Sequence, residues 1–334
     1  MTKRVNIAID AMSGENSPKK IIDGIEISLK KSNENFFIIY GNKELLLKEI
    51  NQRKIIIENC EIVDTIDVIK DDESPLSATK NGKESSMWKA IDSQKTNKAD
   101  ISLSAGNTGA LLLMSRLILN TIEGIDKPAL AGLWPNTKGV NVVLDLGANI
   151  ECSPKNLLDF SCMGSALHRS LYPNEVPKVA LLNIGLEEHK GNDVLKKTFA
   201  ILKKSLSKNF EFSGFIEGNQ IMHGDVNVII TDGFTGNIAL KTAEGTANFI
   251  SKNMKKSLNI ISLLLSYYSL KKFKEKLDPR KFNGAIFLGL EGPVVKSHGS
   301  TDAVGFSYSI EMCNKIIKSN LIEKIKSNLF TVDQ

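Results

Sequence analysis

The feature that most constrains the fold is the regular alternation of short apolar runs with helix-like segments along the whole chain. Eight runs are rich in Val, Ile and Leu and lack the alternating polar side chains of a half-exposed strand. Such runs are typical of parallel strands covered on both faces. The pattern therefore predicts the α/β class, with a three-layer, mostly parallel sheet covered by helices. The predicted strands are 5–11, 36–40, 55–61, 101–104, 142–146, 179–184, 226–231 and 285–288.

Capping residues mark helix starts between these strands. Ser17-Pro18 and Ser153-Pro154 each place an N-cap residue before a proline, which is favoured at the first helical position. Asn42 is expected to cap a helix over 45–50. No low-complexity linker divides the 334 residues. We therefore predict a single α/β domain over 1–334, as one unit or two closely joined subdomains.

The composition excludes several functional classes. The chain has 43 Lys and Arg residues against 38 Asp and Glu, a net charge of +5, but only 5 of the basic residues are Arg. Sequence-specific DNA readers depend on Arg, and single-strand binders on aromatic residues, which make up only 6% here. We therefore expect no nucleic-acid partner. The 4 Cys residues show no CxxC spacing, and no His lies near enough in sequence to complete a zinc motif, which predicts reduced thiols and no zinc site.

The N-terminus and the apolar runs bear on location. The chain turns acidic at Asp10 after a short apolar run, which predicts a strand rather than a signal peptide. No run reaches the roughly 18 apolar residues that a membrane-spanning helix requires. We therefore expect a cytoplasmic protein without a transmembrane segment.

Polar, glycine-rich segments follow five of the predicted strands, at 10–14, 104–109, 145–149, 183–192 and 232–237. In open α/β sheets, ligands bind at the carboxyl ends of strands. Glycines let the backbone approach a ligand closely, and the free N–H groups of the next helix favour an anion. We therefore expect one composite site for a phosphate-like group, with the candidate binding residues Asp10, Ser104, Gly106, Asn107, Thr108, Gly109, Asn149, Glu187, Gly191, Asn192, Asp232, Gly233, Thr235 and Gly236.

Well-known catalytic motifs are missing from these segments. The chain has no GxxxxGK[ST] or GxGxxG phosphate motif and no GxSxG nucleophile elbow. Asp10, Asp145, Asp232 and Asp302 suit either a metal ion or helix N-caps, and their spacing demands no metal. We therefore predict neither a metal nor a cofactor.

Four further side chains suit catalysis, although each also has an ordinary structural interpretation. Lys190 suits a phosphate oxygen as a point charge, or is a solvated surface lysine. His298 suits a proton donor, or a hydrogen-bonded structural histidine. Asn107 and Asn237 suit donors to an oxyanion, or simple turn residues.

Taken together, the motifs resemble the PlsX family, the bacterial phosphate:acyl-[acyl carrier protein] acyltransferases. The resemblance runs from about residue 7 to residue 302. It is carried by Ile9-Asp-Ala-Met12, Ser85-Ser-Met87, Ser104-Ala-Gly-Asn-Thr-Gly-Ala-Leu111, Lys127-Pro-Ala129, Leu144-Asp-Leu-Gly-Ala-Asn149, Leu181-Leu-Asn-Ile-Gly-Leu-Glu187, Lys190-Gly-Asn192, Gly214-Phe-Ile-Glu-Gly218, Thr231-Asp-Gly-Phe-Thr-Gly-Asn237, Leu240-Lys241 and His298-Gly-Ser300.

The resemblance implies an enzyme that makes an acyl phosphate from an acyl-carrier-protein thioester and inorganic phosphate, for phospholipid synthesis. It implies an isocitrate/isopropylmalate-dehydrogenase-like fold, shared with phosphotransacetylases, and usually a homodimer. It also implies peripheral contact with the inner face of the cell membrane, and the downstream glycerol-3-phosphate acyltransferase as a further partner.

For such a reaction we expect Lys190, Asn237 and His298 to be the catalytic residues. Lys190 and the backbone of 106–109 and 233–236 would hold phosphate, and Asn107 and Asn237 would orient phosphate or the thioester carbonyl. His298 would protonate the departing thiolate. Because phosphate is already an anion and a thiol leaves readily, positioning is the main task, and it supplies roughly 7–11 kcal/mol.

The segment 257–277 has apolar residues at helical spacing and a lysine-rich end. It predicts a protruding amphipathic helical insertion near 255–278. Its basic end suits an acidic carrier protein, and its apolar face suits lipid or an acyl chain, although an ordinary core helix with a solvated end fits as well. The candidate contact residues are Leu263, Leu264, Tyr267, Lys271, Lys272, Lys274 and Lys276.

Three other functions remain open at this point. A phosphotransacetylase acting on a short acyl-CoA would use the same fold and phosphate chemistry, but a small acyl group needs no amphipathic surface. An isopropylmalate-type dehydrogenase would require a metal and a nicotinamide. A non-catalytic membrane adaptor of lipid synthesis would tolerate changes at Lys190 and Asn237.

Overall fold

A single mixed sheet of eleven strands organises the chain in the computed structural model, which describes residues 4–205, 207–257 and 278–329. The strands lie in the order β3-β2-β1-β4-β11-β10-β5-β6-β9-β7-β8, and most neighbours are parallel. The strands are β1 Val5–Asp10, β2 Asn35–Gly41, β3 Cys60–Asp64, β4 Ile101–Ser104, β5 Ala129–Pro135, β6 Val140–Leu144, β7 Lys178–Asn183, β8 Glu211–Glu217, β9 Val228–Ile230, β10 Ala285–Leu288 and β11 Val294–Lys296.

Helices cover both faces of this sheet. They are α1 Lys19–Lys31, α2 Lys43–Ile50, α3 Lys54–Ile57, α4 Pro75–Asn81, α5 Ser86–Lys95, α6 Thr108–Leu119, α7 Pro154–Leu171, α8 Asp193–Lys204, α9 Gly233–Ser257, α10 Ala303–Lys318 and α11 Leu321–Asn328, with short 3-10 turns at Gly82–Glu84, Gly218–Gln220 and Pro279–Phe282. The expected three-layer, mostly parallel architecture is confirmed.

Successive residues of a strand enter different cores, which explains the continuous apolar runs. Ile7 and Ile9 of β1 belong to the core beneath α1 and α10, whereas Ala8 belongs to a cluster beneath α5. In β4, Leu103 enters the first of these cores, and Ser102 and Ser104 face the other side. Because most residues of the central strands are buried on one face or the other, little polar alternation is left in their sequence.

The sheet consists of two halves that run in opposite directions. β3, β2, β1, β4 and β11 are parallel to one another, and so are β6, β9, β7 and β8. Between them, β10 and β5 make three successive antiparallel pairings. The carboxyl ends of the strands in one half therefore lie on the opposite side of the sheet from those in the other half. The composite site of all five polar segments stays a prediction.

Two local predictions are wrong. The run 55–61 is not a strand, because Lys54–Ile57 forms a short helix that buries Ile56 in the core, and β3 begins only at Cys60. Ser17 does not cap α1, since its hydroxyl donates to the Ser13 carbonyl and the helix begins at Lys19.

Two other caps are confirmed. Ser153 and Asn156 form a reciprocal capping box at the start of α7. The Asn42 side chain accepts from the Leu45 amide at the start of α2.

Residues 258–277 of the predicted insertion, and with them all seven candidate contact residues, lie outside the described residues. Of the predicted range 255–278, only the last three residues of α9 and Asp278 are described. The boundaries of a single domain stay a prediction. Across residues 4–205, 207–257 and 278–329, no helix is both long and apolar enough to span a bilayer.

Candidate active site

A buried carboxylate lies at the carboxyl end of the first half of the sheet. Asp10, Ser104 and Lys296 occupy one register row across β1, β4 and β11, so their side chains share a face. The fully buried Asp10 accepts from the Ser86 hydroxyl at 2.6 Å and the Ser104 hydroxyl at 2.7 Å. The Ser104 oxygen in turn accepts from the Gly106 amide at 3.1 Å. This network fixes the turn between β4 and α6.

Asn107, Thr108 and Gly109 follow at the start of α6. The Asn107 side chain caps the helix by accepting from the Ala110 amide at 3.0 Å. Its Nδ2 donates to the backbone carbonyls of Asp71 and Glu73, both at 2.9 Å. The side-chain amide thus uses its oxygen and both N–H donors within the protein, which favours the structural interpretation of Asn107.

His298 follows β11 and lies beside several lysines. Its Nδ1 accepts from the Ser300 amide at 3.3 Å, which leaves the hydrogen of the neutral ring on Nε2. Desolvation of the ring lowers its pKa, and the positive charges of Lys296, Lys241 and Lys20 act in the same direction, against the charge of Glu244. The imidazole is therefore neutral at pH 7 and can donate a hydrogen bond from Nε2.

The second half of the sheet holds another buried carboxylate. Asp145 follows β6 and accepts from the amides of Leu130, Gly147, Ala148 and Asn149 and from the Asn149 side chain, at 2.7–3.1 Å. Burial raises its pKa, although these five donors favour the ionised form. Asp145 thus organises the turn after β6, as Asp10 organises the turns after β1 and β4.

The start of α9 packs directly on this turn. The Gly233 amide donates to the Asn149 carbonyl at 2.7 Å. A Cβ atom at Gly236 would lie 1.9 Å from the Asp145 carbonyl oxygen, so only glycine fits there. Asp232 is engaged by the amide and hydroxyl of Thr235, at 2.8 and 2.9 Å, in the manner of an N-cap.

Asn237 is an exposed polar side chain of this turn. Its Nδ2 makes one long contact of 3.5 Å to the Leu146 carbonyl, so its donors remain largely available to a ligand.

Lys190 lies on the turn between β7 and α8. Its amide donates to the Glu187 carbonyl at 3.0 Å, and its carbonyl accepts from the Asn183 side chain at 3.3 Å. Asn192 caps α8 by accepting from the Leu195 amide, and Gly191 adopts a positive φ of 87° between them. The Lys190 side chain is exposed. Among the described residues, no hydrogen bond or ion pair joins this turn to Asp10 or His298.

Helix α9 links the two groups of strand ends. It begins beside Asn149, and its Lys241 and Glu244 are close enough to His298 to influence the pKa of that ring. Eight residues of helix, from Gly233 to Lys241, span about 12 Å. The sequence-predicted residues thus follow two groups of strand ends, and Asn237 of α9 lies between these groups.

No group of three or more His, Cys, Asp or Glu side chains within the described parts of the chain is placed to hold a metal ion. Asp10 and Asp145 are satisfied by protein donors, Asp232 is engaged by Thr235, and Asp302 caps α10 by accepting from the Gly305 amide.

Comparison with known proteins assigns the family. A family model described as "Fatty acid synthesis protein" matches residues 5–324. The chain belongs to this family. A relative from Pelagibacter ubique named "Phosphate acyltransferase" is 59% identical, covering 98% of this chain and 100% of its own. A relative of the same name from Xanthobacter autotrophicus is 41% identical, covering 98% of this chain and 94% of its own. The predicted family membership is confirmed, and so is the prediction that the chain is an acyltransferase.

Solved structures support the fold. A phosphotransacetylase from Streptococcus pyogenes superposes with a TM-score of 0.64 at 16% identity, covering 97% of this chain and 95% of its own. A putative 4-hydroxythreonine-4-phosphate dehydrogenase from Salmonella typhimurium gives 0.53 at 12% identity, covering 95% and 100%. At such low identity these matches concern the fold alone, and they confirm the predicted dehydrogenase-like, phosphotransacetylase-like architecture.

Sequence reasoning missed several polar residues of the first group. Ser13, Lys20 and Lys296 lie beside the Asp10 network but were not among the candidates. Lys296 precedes the Ser-His-Gly segment directly, so its position at the end of a short apolar run was an available signal. Nothing in the sequence connects Lys20 with Gly299, whose carbonyl its ammonium group contacts.

Proposed function

We propose that this acyltransferase moves a long-chain fatty acyl group from an acyl-carrier-protein thioester to inorganic phosphate, and that the acyl phosphate serves phospholipid synthesis. The observation that carries the proposal is the 59% identity, over nearly the whole chain, to a protein named phosphate acyltransferase. The family description, fatty acid synthesis, supports a fatty acyl group on a carrier protein as the donor.

The proposed reaction needs no covalent enzyme intermediate. An oxygen of HPO4²⁻ attacks the thioester carbonyl carbon, the new C–O bond forms, and the C–S bond breaks. The proton of the phosphate passes to the departing thiolate, which gives the acyl phosphate dianion and the free thiol. Since a thiol with a pKa near 8.5 leaves readily, the enzyme must mainly position the reactants and stabilise the tetrahedral oxyanion.

Asn237 and Lys190 are suited to the reacting atoms in the second group. The Asn237 amide makes one long contact within the protein, so it is available to donate to the developing oxyanion. One such donor contributes about 3 kcal/mol to the transition state. The exposed Lys190 supplies a positive charge beside the turn at Gly191.

His298 acts in this proposal as a neutral hydrogen-bond donor rather than as an acid. A lowered pKa makes the imidazolium form scarce at pH 7, whereas the Nε2 hydrogen of the neutral ring persists. A neutral imidazole that polarises an oxygen is an established catalytic device.

A partner surface fits the exposed apolar side chains of α9. Ile238, Phe249, Ile250 and Met254 are all exposed on this one helix. Isolated apolar residues on a surface are ordinary, but a series along one helix favours a protein or lipid contact. The proposed contacts are a second copy of the chain, the acidic carrier protein, the inner face of the membrane and the downstream glycerol-3-phosphate acyltransferase.

The experiment is a direct assay. Purified protein is mixed with palmitoyl carrier protein or acetyl-CoA, phosphate is added, and acyl phosphate is trapped with hydroxylamine. We expect product from the carrier-protein donor only. Product from acetyl-CoA alone would replace the proposal with a short-chain phosphotransacetylase, and no product from either donor would contradict phosphate acyl transfer.

A further inference from the structure

Two lysine ammonium groups beside the Asp10 network have very few acceptors. Lys20 is only 5% exposed, and its Nζ donates to the Gly299 carbonyl at 2.6 Å. The Nζ of Lys296 donates to the Ser297 carbonyl. In the part of the chain that the structure describes, neither Nζ forms an ion pair or a second hydrogen bond. Because an ammonium group carries three N–H donors, each lysine has two left over in a poorly solvated place.

The two ammonium groups donate to carbonyls only two residues apart, those of Ser297 and Gly299. Lys296 ends β11 in register with Ser104 of β4. A Cβ atom at Gly14 would lie 3.0 Å from Lys20 Nζ and 3.1 Å from the Ala105 side chain, so Lys20 reaches the residue that follows Ser104. Burial lowers the pKa of Lys296 to about 8, and the charge of Lys20 contributes in the same direction. Two like charges are thus held together where water is scarce.

A third polar group faces the same turn without a partner. Ser13 is 2% exposed, and its hydroxyl has no hydrogen-bond partner among the described residues. A Cβ atom at Gly106 would lie 2.7 Å from the Ser13 oxygen, which places the hydroxyl over the turn that leads into α6. A buried hydroxyl without a partner is costly, and its presence beside two under-used ammonium groups points to a missing ligand.

The nearby carboxylates do not fill this role. Asp10 already accepts from Ser86, Ser104 and the Met12 amide. Asp71 raises the pKa of both lysines through its charge but makes no ion pair with either. Glu15 acts similarly on Lys20 alone. These acids reduce the repulsion between the lysines and leave their N–H donors unused.

We propose that Lys20, Lys296 and the Ser13 hydroxyl bind the anionic acceptor of the reaction, inorganic phosphate, at the carboxyl ends of β1, β4 and β11. A tetrahedral oxyanion accepts from several donors at once, and its charge compensates the two ammonium groups. This assignment rests on the proposed function for the identity of the anion. It moves the phosphate away from Lys190, which is left to act on the thioester.

The neutral His298 extends the same site. It follows Lys296 by two residues, and both lysines influence the pKa of its ring. Its Nε2 hydrogen is a further donor for a phosphate oxygen, on the side of the site from which Lys241 and Glu244 of α9 also act. The acceptor would thereby be bound near Lys241 of α9, one helical turn after Asn237.

The test compares Lys296→Met, Lys20→Met and Ser13→Ala with the wild type. Lys43→Met serves as the matched control, because Lys43 is an exposed lysine at the start of α2. Hydroxylamine trapping gives the KM for phosphate and the KM for the acyl donor separately. We expect Lys296→Met and Lys20→Met each to raise the phosphate KM at least tenfold, the range for a charge-assisted hydrogen bond. Ser13→Ala should raise it several-fold, and no variant should change the donor KM more than twofold.

A second measurement needs no turnover. Inorganic phosphate added at constant ionic strength should raise the unfolding midpoint of the wild type and of Lys43→Met. The rise in the unfolding midpoint should be much smaller for Lys296→Met and Lys20→Met. If Lys296→Met does not fold, Lys20→Met and Ser13→Ala still test the proposal.

The outcomes separate the two proposals. An unchanged phosphate KM and undiminished protection by phosphate in both lysine variants would overturn the site. Protection that depends on these lysines, in a wild type that forms no acyl phosphate, would keep the anion site and refute the proposed function.

Discussion

Replacing Lys296 with methionine should stabilise the phosphate-free protein. Without a bound anion, the Lys296 ammonium group is poorly solvated and has few hydrogen-bond acceptors. Burial is the main cause that lowers its pKa from the usual 10.5 to about 8. A lowered lysine pKa means that the charged form is less favourable in the folded state than in the unfolded state. Methionine has a similar length and carries no charge, so Lys296→Met removes this cost and keeps most of the packing.

The magnitude follows from the pKa. One pKa unit corresponds to 1.36 kcal/mol, so the change from 10.5 to about 8 amounts to about 3 kcal/mol against folding when the lysine is charged. Loss of the hydrogen bond to the Ser297 carbonyl offsets about 1 kcal/mol of the gain. We therefore expect Lys296→Met to raise the free energy of unfolding by about 2 kcal/mol at pH 7, with Lys43→Met close to the wild type.

The pH dependence gives the sign an independent check. Below pH 8 the lysine is charged in both states, so the wild type carries the full cost. Between pH 8 and 10.5 the folded state loses the proton before the unfolded state does, and the free energy of unfolding of the wild type therefore rises with pH relative to the variant. The advantage of Lys296→Met should shrink steadily across this interval and vanish above it.

The assay is urea unfolding in phosphate-free buffer at pH 7 and at pH 10, for the wild type, Lys296→Met and Lys43→Met. If Lys296→Met is no more stable than the wild type at pH 7, the charged Lys296 ammonium group does not destabilise the phosphate-free protein, and the argument is refuted. An advantage that stays constant up to pH 10 would show that packing, rather than charge, is responsible.

Three further predictions concern other parts of the molecule. Lys190→Ala should lower the rate of acyl phosphate formation at least tenfold. Because the side chain is exposed, the unfolding midpoint should not change. A rate within about twofold of the wild type would remove Lys190 from the mechanism. Gly236→Ala should destabilise the protein by about 2 kcal/mol or more, because its Cβ would lie 1.9 Å from the Asp145 carbonyl oxygen. Urea unfolding measures this change, and an unchanged stability would contradict the close packing of α9 on the turn after β6. Burial lowers the pKa of His168 despite its contact with Glu175, so its contribution to stability should be complete above pH 6.5 and decline as the pH falls below it; the variant His168→Gln should lack this slope.

The strands that are easiest to recognise in the sequence are those buried on both faces of the sheet. β1, β2, β4, β7 and β10 are buried on both faces, so most of their positions are apolar or small and the apolar run is visible. The edge strand β8 is half exposed and contains Gly214 at a positive φ of 85°, which breaks the run. β11 has only three residues, too few for any periodicity to appear.

The failure at 55–61 has a different origin. Ile55, Ile56 and Ile57 are β-branched and favour a strand, yet they form one helical turn because Ile56 fills the core beneath α1 while Ile57 stays exposed. Tertiary packing outweighed local propensity here, as it often does for very short elements. No pattern within the segment could have indicated this outcome.

The site shows a similar division between what is local and what is not. The turns around Gly106 and Gly233 were found because their glycines and polar residues are contiguous in sequence. Lys20 and Lys296 were missed because they belong to two elements at opposite ends of the chain. These elements are brought together by the parallel pairing of β1, β4 and β11 and by the packing of α1 on α10. The opposite directions of the two half-sheets are likewise invisible, since a strand sequence does not show which way its neighbour runs.

The two halves of the sheet offer different binding sites for the two substrates of the proposed reaction. One half presents a buried carboxylate, Asp10, beside two lysines with unused donors. The other presents Asp145 beside the exposed amide of Asn237, with the exposed Lys190 on the turn after β7. In each half the carboxylate organises a turn, and the cations or amides remain for a ligand. If the acceptor binds at the first group and the thioester carbonyl at Asn237, the carbonyl has to reach toward Lys241, four residues or about 6 Å farther along α9. The extended arm of a carrier-bound thioester is suited to that task, whereas a small anion is not, and this asymmetry favours the assignment of phosphate to the buried, cationic end.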